Sequence, residues 1–178
     1  MRYATSLQGL NRILLMTRLL ILLPILHSPA FAQSWKAGVA KRVITPQDSV
    51  WMAGYAARTG PAAGVLHDLW IKALALEDSL GNRALLITAD LLGLPRDFSA
   101  NVSRQLREKL GLERSQLILS SSHTHSGPVL RRSLYPAYPL SGPRLAQIDR
   151  YSAWLETQFV ELGLAAFAAM KPASLHSG

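Results

Sequence analysis

From residue 35 onward the apolar positions of this chain follow two rhythms in turn. Residues 35–44 are apolar and rich in β-tending types, and Thr45-Pro46 closes the run. Residues 45–66 keep no period and are rich in Gly, Ala and Pro; they read either as a loop of a length that compact domains retain mainly for function or as regular structure that the pattern does not reveal. Residues 70–77 and 83–89 read as two strands joined at Asp78-Ser79-Leu80-Gly81-Asn82, a short glycine-containing turn suited to a hairpin. The rhythm then changes. Pro95 opens a helix, Phe98, Val102, Leu106 and Leu110 recur every four residues, and Gly111 follows as the cap. Residues 117–122 return to strand. The order strand, helix, strand over 83–122 is a βαβ crossover, right-handed and with parallel strands. Pro128, Pro136, Pro139 and Pro143 exclude regular structure from 126–144. Leu145, Ile148, Leu155, Phe159, Leu162, Ala166 and Met170 mark a long amphipathic helix stopped by Pro172, its apolar stripe suited to core packing. After it the chain reads as entry into another strand. The expected class is α/β, a mixed sheet with a βαβ crossover and flanking helices, without internal repeats.

Residues 1–32 do not belong to that fold. Arg2, Arg12 and Arg18 precede an apolar core at 19–26, and Ala30-Phe31-Ala32 has the spacing of a signal-peptidase site. The apolar core falls well short of the roughly 20 residues a spanning helix needs. The expectation is a cleaved signal peptide, a mature chain of residues 33–178 and a secreted or periplasmic location. There is no cysteine, so the exported fold relies on its core rather than on disulfides. Removing the signal takes away three arginines and no acid, leaving 16 Lys and Arg against 11 Asp and Glu. Only Lys41-Arg42 and Arg131-Arg132 are adjacent, which excludes a nucleic-acid footprint.

The candidate chemistry sits in Ser-Ser-Ser-His-Thr-His-Ser-Gly-Pro at 120–128, directly after the apolar run 117–119. On a strand, positions two apart share a face, so His123 and His125 are expected to aim two imidazoles at one place. Neutral imidazole at such a mouth is a common ligand for zinc. The plainer alternative is two hydrogen-bonded histidines beside a turn. In open α/β sheets ligands gather beyond the carboxyl ends of the strands, where both Asp90 and His123 fall. Asp90 has two readings: it orients a ligand imidazole, or it caps a turn after a buried strand. The serines lack a G-x-S-x-G elbow and an acid partner, which excludes a serine nucleophile. Tyr135, Tyr138 and Arg131-Arg132 mark 126–144 either as a rim touching ligand or as an ordinary surface loop.

The 120–128 motif resembles the Thr-His-Thr-His-Ser-Gly-Pro signature of the neutral/alkaline (non-lysosomal) ceramidase family. Three more stretches resemble that family in the same order. Residues 37–46 resemble its opening AGxGxxDITP strand, with Val43 where Asp is usual. Met52-Ala53-Gly54-Tyr55 resembles its MxGY segment. Residues 68–78 and 85–93 resemble DLYARALVLED and LVSxDLLG. The resemblance implies a zinc amidohydrolase that cleaves the N-acyl bond of ceramide, with a lipid substrate, and with a membrane surface met only through it. In that family two histidines, a glutamate and a tyrosine hold the zinc. The resemblance places the first ligand on His123 and a catalytic or substrate contact on His125. It supplies no segment for the other ligands before Gly178, so the chain is expected to be the N-terminal part of a larger catalytic domain. His67 stands one residue away from the family's histidine in this region and is assigned no role. Two alternatives stay open: the same fold acting on another N-acyl or ester substrate, and a catalytically incomplete remnant or binding module. Oligomeric state is not legible.

Overall fold

A computed structural model describes residues 35–176; the expected signal peptide, 1–32, and its expected cleavage site lie outside the described residues. Five strands form one mixed sheet: β1 (Trp35–Val43), β2 (Trp70–Glu77), β3 (Arg83–Ala89), β4 (Leu117–Ser121) and β5 (Lys171–Ala173). The spatial order is β4-β3-β2-β1-β5. Among the described residues two α-helices accompany it, α1 (Arg96–Leu110) and α2 (Gly142–Ala168).

Alternation along the strands decides which sheet face is buried. Ile71, Ala73 and Ala75 of β2 pair with Ala89, Ile87 and Leu85 of β3, and all six are buried. They meet Phe98, Val102 and Leu106 of α1 and Leu155, Phe159, Leu162 and Ala166 of α2 in one core. The helix period of four brings the α1 residues onto one stripe. Gly163 of α2 has no room for a side chain: a Cβ there would lie 2.7 Å from Leu106 Cδ2 and 3.0 Å from Leu85 Cδ2. The opposite face carries residues of the other parity, with Val39 70% and Ile118 57% exposed.

The β2–β3 turn is held by Asp78, whose Oδ1 accepts the backbone N–H groups of Leu80 and Asn82 at 2.9 and 2.8 Å. Its Oδ2 accepts the Asn82 side-chain amide at 2.8 Å, and that bond foremost keeps the carboxyl below its usual range. The α1 helix ends where Gly111 adopts φ 63°, its N–H donating to the Arg107 carbonyl at 2.8 Å. The chain then returns through β4 parallel to β3, with Ala89 opposite Ser121, so the expected crossover is present. Asp90 and His123 follow the carboxyl ends of these neighbouring strands.

Two details correct the sequence expectation. β4 ends at Ser121, so the His-x-His pair lies beyond the strand rather than on it. Pro143 lies inside the first turn of α2, where its missing N–H would have had no helical acceptor. At the far end, Lys171–Ala173 pairs antiparallel with β1, Trp35 opposite Ala173, which is the strand the chain's end suggested. Pro172 is accommodated because β5 is the sheet edge.

Candidate functional site

Because β4 stops at Ser121, strand alternation cannot be what aims the two histidines. His123 takes a left-handed backbone conformation, φ 57°, which bends the chain back over the β3 end. Ser122 N–H still donates to the Ala89 carbonyl at 2.9 Å, so the bend starts from a fixed point. The outcome is nonetheless convergence: the two imidazole centroids lie 5.2 Å apart, with their planes at 68°.

The His123 ring is oriented by main chain. Its Nδ1 lies 2.7 Å from the Leu92 carbonyl oxygen, and a carbonyl only accepts, so Nδ1 carries the proton. In the neutral ring the lone pair is then on Nε2, and the side chain is exposed. A backbone carbonyl that fixes the tautomer through Nδ1–H is a usual support for a metal-binding imidazole. Asp90 does not perform this service. Its Oδ2 accepts the Trp70 N–H at 2.9 Å, and its own N–H donates to the Trp70 carbonyl at 2.9 Å. The capping role is the observed one.

His125 is fixed by packing. Gly54, at φ +114°, presses against its ring: a Cβ on Gly54 would lie 2.5 Å from Cγ and 2.8 Å from Nδ1. That Nδ1 is buried and has no hydrogen-bond partner among the described residues. Nε2 is therefore the nitrogen left for chemistry. The Tyr55 ring meets His125 edge-on at 4.8 Å, and the Arg58 guanidinium lies 5.3 Å from the Tyr55 ring centre. Arg58 Nη2 donates to the His125 carbonyl at 2.6 Å.

These contacts exist because residues 51–54 pair with the loop that carries the histidines. Ala53 N–H donates to the Gly127 carbonyl and Val129 N–H to the Trp51 carbonyl, both at 2.8 Å, around a bridge between Met52 and Pro128. Tyr138 Oη accepts the Gly54 N–H at 2.7 Å, which ties in the proline-rich segment 126–144. Gly127 lies against the β3 end, where a Cβ would come 3.2 Å from the Asp90 carbonyl oxygen.

Tyr55 and Arg58 were not singled out as site residues from sequence. The only signal was for Tyr55, in the Met-Ala-Gly-Tyr segment at 52–55; nothing in the sequence marks Arg58. His67 is elsewhere, on a pocket of about 170 Å³ walled by Val50, Met52, Leu66 and Leu69 and closed by Ser126 and Pro128 of the histidine loop. Its Nδ1 is 3.4 Å from the Asp68 carbonyl, too far for a firm bond.

As a metal centre the donor set is partial. His123 fits a zinc ligand by tautomer and exposure, with His125 beside it. A catalytic zinc takes three protein ligands, and no group of three or more His, Cys, Asp or Glu side chains occurs among the described residues.

No family model matches the chain. Among solved structures it is similar to the neutral ceramidase of Pseudomonas aeruginosa, with a TM-score of 0.63 and 22% identity. The match covers 79% of this chain and 22% of that one. A ceramidase structure described as complexed with C2 matches at the same TM-score, identity and coverage. The chain has the fold of part of a neutral ceramidase. It spans about a fifth of the length of the ceramidase chains it matches, 22%.

Proposed function

We propose that this chain contributes the N-terminal portion of a zinc-dependent amidohydrolase of neutral-ceramidase type, which hydrolyses the N-acyl bond of ceramide to sphingosine and a fatty acid. The observation that carries this reading is the His123 imidazole. It stands at the carboxyl end of two parallel strands, in a fold shared with ceramidases, with Nδ1–H committed to Leu92 and Nε2 free. His123 would hold the metal through Nε2. A zinc ion held there would lower the pKa of a water to about 7 and polarise the acyl carbonyl. His125, with Nδ1 packed against Gly54, offers Nε2 to hold or pass a proton at the substrate, and Tyr55 forms the adjoining wall. The remaining ligands come from outside the described residues. The same reading makes residues 1–32 a cleaved export signal and the mature protein secreted or periplasmic.

The partial donor set favours a second reading, in which these 178 residues alone are catalytically incomplete and serve as a remnant or binding module. Substrate identity is tested separately, by a panel of ceramide, other N-acyl and ester substrates. The experiment pairs the chain as it stands with a version extended in frame from its own gene to ceramidase length. The extended protein is expected to carry one zinc, cleave ceramide and lose metal on His123→Ala. On His125→Ala it keeps most metal and loses turnover. An in-frame stop soon after Gly178, or an extended protein without metal or hydrolysis, overturns the first reading.

A further inference from the structure

We infer that Arg58 is a positioning residue for His125, acting together with Tyr55 as a brace that turns His125 Nε2 toward the space in front of His123. The catalytic meaning of that brace rests on the functional reading above; the brace itself does not.

Five contacts build it. Arg58 N–H donates to the Tyr55 carbonyl at 3.2 Å and closes a turn, which swings the guanidinium back over the Tyr55 ring at 5.3 Å. The same guanidinium donates from Nη2 to the His125 carbonyl at 2.6 Å. Tyr55 carries the contact forward, its ring edge-on to the imidazole at 4.8 Å. Gly54 closes the other side, since nothing larger fits between it and the ring.

The chemistry of Arg58 argues that this is its role. A fixed arginine loses much rotamer freedom, and in most sites a bidentate carboxylate offsets that loss. Arg58 makes no ion pair with a carboxylate among the described residues, and its Nε is buried without a partner. Its firm interactions are with a main-chain carbonyl of the histidine loop and with the ring that touches the histidine. The planar guanidinium makes both at once; a lysine ammonium can reach the carbonyl but cannot stack as a plane. His125 needs such external support because its own Nδ1, the atom that often orients a functional imidazole, has no partner among the described residues.

Tyr55 is 58% exposed, so its ring is not held by burial. Without the guanidinium over it, the ring is free to leave His125, and the imidazole gains rotamers on its open side.

The test uses the 178-residue chain with isotope-labelled histidines, read by NMR of the ring nitrogens and carbons without added metal. Wild-type His125 is expected to give one set of ring signals from one tautomer. In Arg58→Ala and Tyr55→Leu that signal loses most of its intensity to new or averaged positions. The bonded Nδ1–H of His123 and the ring signals of His67 stay in place. Arg58→Lys is intermediate and Tyr55→Phe is like wild type, which separates positioning from general destabilisation. Should Arg58→Ala unfold, the Lys, Leu and Phe variants decide alone. His125 signals unchanged in Arg58→Lys and Tyr55→Leu overturn the inference, as does movement of His67 and His125 by equal amounts. In the extended protein Arg58→Ala should lower kcat with zinc content retained. Lost zinc content with an unmoved His125 would count against the positioning role. A brace confirmed by NMR in a protein that never binds zinc would sink the functional reading and leave the brace standing.

Discussion

Replacing Gly54 by alanine tests the packing that presents His125, and its cost can be worked from two separate sources. The backbone at φ +114° lies where L side chains rarely go, a strain of about 1–3 kcal/mol for a non-glycine residue. The added methyl would also stand 2.5 Å from His125 Cγ and 2.7 Å from its Cβ. Those atoms are the root of the side chain, so rotating the ring does not clear them. The backbone cannot retreat easily either, since Gly54 N–H is held by Tyr138 Oη at 2.7 Å and Ala53 N–H by the Gly127 carbonyl at 2.8 Å. Forcing one extra carbon into packed surroundings costs about 1–3 kcal/mol. Together the loss is about 2–6 kcal/mol, against roughly 5–15 kcal/mol for a whole domain. The variant should fold, with a midpoint lowered by about 5–25 °C for a domain of this size. Thermal unfolding followed by circular dichroism measures the loss, and ring NMR reports the displaced His125. Gly60→Ala is the control, because a Cβ there meets nothing within 4 Å, and it should stay within about 0.5 kcal/mol of wild type. A Gly54→Ala protein as stable as that control, with His125 unmoved, would refute the reasoning.

Three other outcomes are expected. Tyr151 Oη donates to the Ile44 carbonyl at 2.6 Å, so Tyr151→Phe leaves a buried acceptor unpaired and should cost about 1–3 kcal/mol by denaturant titration. Burial raises the Tyr151 pKa above its ordinary value, so its contribution is fully present below the unfolded value of about 10 and is lost as pH rises beyond it. Stability should therefore fall in alkali with a slope approaching about 1.4 kcal/mol per pH unit, and Tyr151→Phe should remove that slope. Glu156 of α2, nearly buried, accepts Arg131 Nη2 at 2.6 Å and so ties α2 to the segment after the histidine loop. Breaking a fully buried pair costs about 3–5 kcal/mol, but Arg131 is 33% exposed, so Glu156→Ala should cost about 2 kcal/mol.

Most of the sheet and both helices were legible because their periods are local. The parity of Ile71, Ala73 and Ala75, the four-residue spacing from Phe98 to Leu110 and Gly111 as cap need no knowledge of the rest of the chain. The site was legible only in part. His123 and His125 do converge, but through a left-handed bend at His123 instead of strand alternation, and positive φ at a histidine has no reliable local signature. The pairing of 51–54 with 127–129 joins segments more than seventy residues apart, and nothing in either segment names the other. For that reason Tyr55 and Arg58 were not singled out as site residues. Asp90 was open between two roles because both place a carboxylate at a strand end. The Trp70 amide that it caps is supplied by the neighbouring strand.

The measurement that bears most directly on the account is a Zn²⁺ titration of the 178-residue chain, read at the ring nitrogens of its histidines by NMR. Weak binding is expected, in which His123 Nε2 shifts, its Nδ1–H stays bonded to Leu92, and His123→Ala abolishes the response. Zinc that leaves His123 untouched would contradict it. So would tight stoichiometric zinc with ceramide hydrolysis in this chain alone, which would mean that a full ligand set lies within it.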